Sequence, residues 1–184
     1  MTEYIFNTIN RNNKNELSNA IINVFQTKKP VIICVGSDLA VGDSLGPYIG
    51  TKLSEKLENS IVYGTLKSPI TAKEIKTISE KIKQIHPASK VLVIDAALGR
   101  EDEIGYVKVQ NKGIKPGLGV KKNLPEIGDV SIIGIVGAYN STKNEQTQPP
   151  RLNLIYNIAN TIIDGVEEAL NKIHQVTKES NNLY

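Results

Sequence analysis

PVIICVGSDLAVGDSLGP, residues Pro30 to Pro47, is the stretch on which the fold turns. Its opening, Pro30 to Gly36, is a short unbroken apolar run rich in β-branched residues. Such a run reads as a strand covered on both faces, as in a parallel sheet. The remainder places Gly36, Gly42 and Gly46 ahead of an apolar repeat, in which Leu45, Ile49, Leu53 and Leu57 recur every four residues. That is the period of a helix with one core-facing side. Strand, glycine-bearing turn and helix in this order open a crossover unit.

The same grammar continues on both sides. Lys90 to Ala97 (KVLVIDAA) and Val130 to Val136 (VSIIGIV) are further continuous apolar runs, and Ile61 to Thr65 is a shorter one. Gly105 to Gln110 alternates Tyr106, Lys108 and Gln110 with Val107 and Val109, the pattern of an edge strand. Helical spacing recurs in Leu17, Ile21, Ile22 and Phe25, and in Ile75, Ile78, Ile82, Ile85 and His86. A long last helix carries Ile155, Ile158, Ile162, Val166, Leu170 and Ile173. Strands alternating with helices predict a three-layer α/β/α sandwich with a mostly parallel central sheet and right-handed crossovers. The 184 residues make one domain, residues 1–184, with flexible ends expected at 1–14 and 176–184. Asn111 to Gly128 and Ala138 to Pro150 read as long loops, and loops of that length in a small domain are usually functional or disordered.

Composition narrows the function. Hydrophobic residues make up 40% and charged residues 22%, an ordinary globular balance. A formal charge of +3, no basic run and no Trp argue against a nucleic-acid partner. No apolar run approaches the roughly 20 residues of a membrane helix, and the polar, Asn-rich start does not resemble a signal peptide. A cytoplasmic location is expected. One cysteine, Cys34, excludes a disulfide within the chain and a thiolate metal cluster.

Ligands of open α/β sheets bind at the carboxyl ends of strands, where the Gly36 to Pro47 turn belongs. The glycine spacing fits neither a dinucleotide fingerprint nor a phosphate loop, and no lysine follows. Asp38, Asp43 or Ser44 could simply cap the helix. Asp95 ends a strand that reads as buried, which is costly unless the carboxyl is hydrogen-bonded or paired, and Arg100 is the obvious partner. If the two strands are neighbours, their axes lie about 4.8 Å apart, and Asp43 meets Asp95 at one mouth. Two close carboxylates do not both ionise readily, so one keeps its proton. One then acts as base on a water while the other polarises a carbonyl, which is peptide hydrolysis without a covalent intermediate. The same pair could hold a hard divalent cation through oxygen. His86 and His174 fall on helical segments away from this mouth, which leaves no serine triad at Ser37 or Ser44. Cys34, in mid-strand, reads as a core residue. The Gly-rich stretch from Lys115 to Lys121, with Gly117 and Gly119, either approaches a ligand closely or makes a surface excursion. Arg151, ahead of the last helix, either orients a carboxylate or is exposed.

The runs GDSLGP (Gly42 to Pro47), VIDAALGR (Val93 to Arg100) and IKPGLGV (Ile114 to Val120) resemble, in order and spacing, the spore germination protease family. That family degrades small acid-soluble spore proteins and shares its fold with the hydrogenase-maturation proteases. GSDLAVGDSLGP, YGTL (Tyr63 to Leu66), Lys122, Leu124-Pro125 and Arg151-Leu152 resemble most a short branch, the YyaC-type sporulation proteins. The resemblance implies a phosphorylase/hydrolase-like fold. It also implies catalytic roles for Asp43, from the D-A-L-G-P motif, and Asp95, from the I-D-A-L motif. Ser37, Asp38, Arg100, Lys115, Gly117, Gly119 and Lys121 would support substrate or the acid pair. The chain is much shorter than a full germination protease and has no equivalent of its pro-segment. It also lacks the well-placed His of the nickel-sensing maturation proteases. The expectation is a sporulation-associated endopeptidase of the forespore or spore core, acting on a protein or peptide substrate without a cofactor, homo-oligomeric assembly being open. The rivals are a non-catalytic regulatory protein that keeps the fold and a metal-dependent hydrolase.

Overall fold

The computed structural model describes residues 2–8, 13–25, 30–57, 60–115, 126–140 and 145–181. Four strands carry the parallel core of the sheet: β2 (Val31–Cys34), β3 (Ile61–Tyr63), β4 (Val91–Gly99) and β6 (Val130–Asn140). β5 (Tyr106–Gln110) runs antiparallel to β6, and β1 (Glu3–Asn7) antiparallel to β5, giving the order β1-β5-β6-β4-β2-β3. The short β7 (Glu145–Gln146) pairs with the end of β6.

Helices cover both faces. Leu17 and Ile21 of α1 (Asn13–Val24), Leu45, Ile49 and Leu53 of α2 (Leu45–Lys56), and Ile158 and Ile162 of α4 (Leu152–Asn181) pack with Ile32, Cys34, Leu92, Ile94 and Ile132. On the other face Ile75 and Ile82 of α3 (Ile75–Ile85) close on Val31, Ile33 and Val93. The two side-chain sets alternate along each central strand, which is why these strands read as unbroken apolar runs: both faces are buried. The three-layer α/β/α class is therefore the observed one.

Three local expectations are corrected. β5 is interior, because β1 lies outside it with Tyr4 opposite Val109 and Phe6 opposite Val107. Its polar alternation has another cause: Lys108 bonds Glu103 at 2.7 Å, and Gln110 donates to the Glu3 carboxylate. The expected flexible start thus holds a strand, with Phe6 buried and Ile5 facing out. At the other end α4 continues to Asn181. The stretch from Ala138 to Pro150 begins with strand, since β6 runs to Asn140 and pairs with β7.

Two features set up the mouth of the sheet. β2 and β4 are in register from Val31 opposite Val91 to Cys34 opposite Ile94, and β4 alone continues to Gly99. The start of α2 lies directly on the end of β2, where a Cβ at Gly46 would sit 1.9 Å from the Val35 carbonyl oxygen. Only a glycine permits that approach.

Candidate active site

Asp95 is the first residue of β4 beyond its pairing with β2, opposite Ile133 of β6. Strand alternation turns it to the face of Val93, the α3 side. Its Oδ1 accepts the Ala96 N–H at 2.8 Å. The surrounding protein strips water from the carboxyl and pushes its pKa up to about 8, with the nearby Asp43 charge adding to the rise. The Ala96 N–H pulls in the opposite direction and is outweighed. Desolvation wins because a buried carboxylate loses hydration that one N–H cannot replace.

Asp43 reaches the same mouth by a glycine turn. Gly36, at φ +142°, lets the chain leave β2 sharply, and a Cβ there would stand 2.1 Å from the Asp43 carbonyl oxygen. The Ser37 N–H closes the loop onto that oxygen at 3.0 Å. The Ser37 Oγ accepts the Leu39 N–H at 3.2 Å, and Ser44 Oγ donates back to the Val41 carbonyl at 2.7 Å. Ser44 occupies the N-cap position of α2 without a side-chain cap bond. Partial desolvation raises the Asp43 pKa, opposed by the Ser37 N–H. Asp43 is exposed at the rim, whereas Asp95 lies deeper, so the two acids share a mouth but not an environment.

The supporting residues fall differently. Ser37 belongs to the loop that carries Asp43, and Asp38 is exposed on the same loop. Arg100 does not pair with Asp95. Its guanidinium makes a bidentate pair with Asp102, at 2.9 and 3.0 Å, across the turn Glu101–Glu103. Lys115 is exposed, while Gly117, Gly119 and Lys121 lie outside the described residues. Arg151 is exposed just before α4. His86, at the end of α3, meets the Tyr63 hydroxyl at 3.0 Å. Cys34 is fully buried, and burial pushes its thiol up, with the Asp95 charge adding to the effect. A thiol held protonated is a poor nucleophile.

The sequence reading passed over an apolar rim. Leu39 is 91% exposed and Val41 44%, both on the Asp43 loop, and Leu152 and Tyr156 are exposed at the start of α4. Pro150 lies against Gly42 and ties this rim to the loop. The signal was there: Leu39-Ala40-Val41 is an apolar run inside a turn, where solvent should favour polar residues.

Two carboxylates can share a proton around a water, or they can contribute oxygens to a hard cation. Among the described residues no group of three His, Cys, Asp or Glu side chains is placed to hold a metal ion. No described helix is long and apolar enough to cross a membrane.

Comparison with known proteins bears on this site. Residues 5–165 match the family described as a protein of unknown function, DUF1256, and the chain belongs to that family. It is 38% identical over 160 residues to the uncharacterized protein YyaC of Bacillus subtilis (strain 168), covering 82% of this chain and 78% of that one. Its fold is similar to that of a NiFe hydrogenase maturation protease, HycI, from Thermococcus kodakarensis KOD1. That match has a TM-score of 0.54 at 17% identity and covers 85% of this chain and 99% of the other. At that identity the likeness concerns the fold alone.

Proposed function

We propose that this member of the DUF1256 family is an endopeptidase that hydrolyses a peptide bond with Asp43 and Asp95. The observation that carries the reading is the placement of Asp95 just beyond the β2 pairing, where burial pushes its carboxyl up to about 8 and the Asp43 charge acts on it. At neutral pH Asp95 is then the protonated partner, and its O–H polarises the scissile carbonyl. Asp43, at the solvent rim, takes a proton from water as the water attacks the carbonyl carbon. The same proton passes to the leaving nitrogen when the C–N bond breaks, so both acids return to their starting states. Burial raises both acids, and Asp95 lies deeper than the exposed Asp43; neighbouring acids in unequal environments are how one site runs acid and base chemistry together.

The resemblance of GDSLGP and VIDAALGR to the germination protease motifs supports a sporulation-associated role, in the cytoplasm of the forespore or spore core. It also supports a protein or peptide as substrate. Small acid-soluble spore protein is the probe of choice. The purified chain is expected to cleave it at one or a few positions, and Asp43→Asn or Asp95→Asn each to abolish cleavage. A scaffold that had kept only the fold would leave the probe intact with or without those changes. Cleavage that stops with chelator and returns with Mg²⁺ or Mn²⁺ would assign the pair to a cation instead.

A further inference from the structure

β4 overhangs its neighbour. The bond from the Val35 N–H to the Ile94 carbonyl, at 2.8 Å, is the last main-chain link between β2 and β4. Beyond it, Asp95 to Gly99 stay paired with β6 on one edge only. In a parallel ladder, alternate residues turn their N–H and C=O toward the same neighbour. The ladder with β6 shifts register between Ala97 and Leu98, but the extra residue, Val136, belongs to β6, so β4 keeps its alternation and Ala96 and Leu98 turn theirs toward the place that β2 has vacated. The Ala96 N–H is held by Asp95 Oδ1 at 2.8 Å. The Ala96 carbonyl and both main-chain groups of Leu98 have no main-chain partner on that side among the described residues. Burial changes at the same point: Leu92, Val93 and Ile94 are buried, while all of Asp95 to Gly99 keep solvent contact.

An open strand edge is a row of donors and acceptors that only another extended main chain complements. This one begins at Asp95, beside the loop bearing Asp43. We infer that the free edge from Asp95 to Gly99 is a template onto which an extended segment of a protein partner adds as a further strand. The inference rests on the peptidase reading only for what happens to that segment afterwards. Strand spacing of about 4.8 Å sets a docked main-chain carbonyl beside the Asp95 carboxyl. The surrounding charge selects the segment. Asp38, Asp43 and Glu101 are acidic, while Arg100 and Lys108 are occupied by Asp102 and Glu103. An acidic segment is repelled, and a neutral or basic one is favoured. Leu39 and Val41, exposed on the loop, offer apolar contact to every second side chain of such a strand.

The test uses the full chain and a fluorescein-labelled pool of seven-residue peptides built from Val, Leu, Phe, Thr and Lys. Binding is followed by anisotropy, and the tightest peptide is resynthesised with one N-methyl group at each position in turn. Methylation at alternate positions should weaken binding by about tenfold, the cost of one main-chain hydrogen bond with its partner left unpaired, while the positions between change it little. Amide exchange at Leu98 should slow by a similar factor, about tenfold, when peptide saturates the chain. Absence of binding at about 1 mM peptide, a flat N-methyl profile or an unchanged Leu98 amide would each overturn the inference. The two readings fail separately. Alternating sensitivity without cleavage would sink the hydrolytic role and leave docking intact, and cleavage with a flat profile would do the reverse.

Discussion

The two ends of the sheet carry the same kind of side chain in opposite circumstances. At the amino end Asp129 is exposed, and its Oδ2 accepts the Val91 N–H at 2.8 Å, closing the start of β4. Glu126 and Lys83 stand nearby in a cleft that also includes His86. At the carboxyl end Asp95 is half-buried, accepts the N–H of the next residue, and has a second acid as its charged neighbour. An acid at the amino end finishes a strand. An acid at the carboxyl end is pushed toward its protonated form by burial. The difference comes from strand length: β4 outruns β2 and carries Asp95 past the last residue paired with β2.

Activity separates the two ends by the largest margin. Asp43→Asn and Asp95→Asn should each lower kcat/KM on the spore-protein probe by about 10²- to 10⁴-fold, the range for loss of an acid or base. Asp129→Ala should leave kcat/KM unchanged and lower stability by about 1 kcal/mol, the net worth of an ordinary hydrogen bond. A large activity loss from Asp129→Ala would erase the distinction between the two ends.

The pH dependence sharpens it next. If Asp95 must be protonated and Asp43 ionised, kcat/KM follows a bell whose alkaline limb falls near pH 8. The same shift bears on stability. Asp95 is pushed up to about 8 when folded and has the ordinary aspartate value of 3.8 when unfolded, so between those values the unfolded chain releases a proton that the native one keeps. Its contribution to stability is therefore full below about pH 4, declines as pH rises, and levels off above about pH 8. Asp95→Asn should accordingly raise the melting temperature at pH 8 and change it little at pH 3. Chemical denaturation at the two pH values would read the difference directly.

Packing at the mouth gives a smaller effect. Gly46→Ala sets a methyl 1.9 Å from the Val35 carbonyl oxygen, so α2 must retreat from β2. A loss of about 1–3 kcal/mol is expected, as for other forced overpacking, with cleavage reduced because the Asp43 loop moves with α2. The smallest effect belongs to Arg100→Ala. This side chain is paired with Asp102 in solvent, and its removal should leave the melting temperature unchanged in a thermal scan.

Much of this was legible in the chain. β2, β4 and β6 announce themselves as apolar runs because both their faces are buried, and α2 and α4 by their four-residue repeats. β1 escaped because only Tyr4 and Phe6 face the core, amid polar residues that sequence alone reads as a tail. β5 was placed at the edge because Lys108 and Gln110 interrupt it, and those residues are satisfied by Glu103 and Glu3, from elsewhere in the chain. Asp43 could be placed near Asp95 from topology, since it lies on the loop after β2, the neighbour of β4, but Asp95 was expected to end its strand and instead sits within β4, which runs on to Gly99. The Arg100 pairing could not, because a turn of three residues decides which carboxylate the guanidinium meets. The open edge of β4 was also hidden, since the end of one strand relative to its neighbour is a matter of register rather than composition.

Carboxyl-carbon NMR titration of Asp95, in the wild-type chain and in Asp43→Asn, reads the shared mouth most directly. The structure predicts a midpoint near pH 8 that falls when the Asp43 charge is removed yet stays above the usual aspartate range, because burial is the larger cause. A midpoint near 4, the ordinary aspartate value, and indifferent to Asp43 would contradict it.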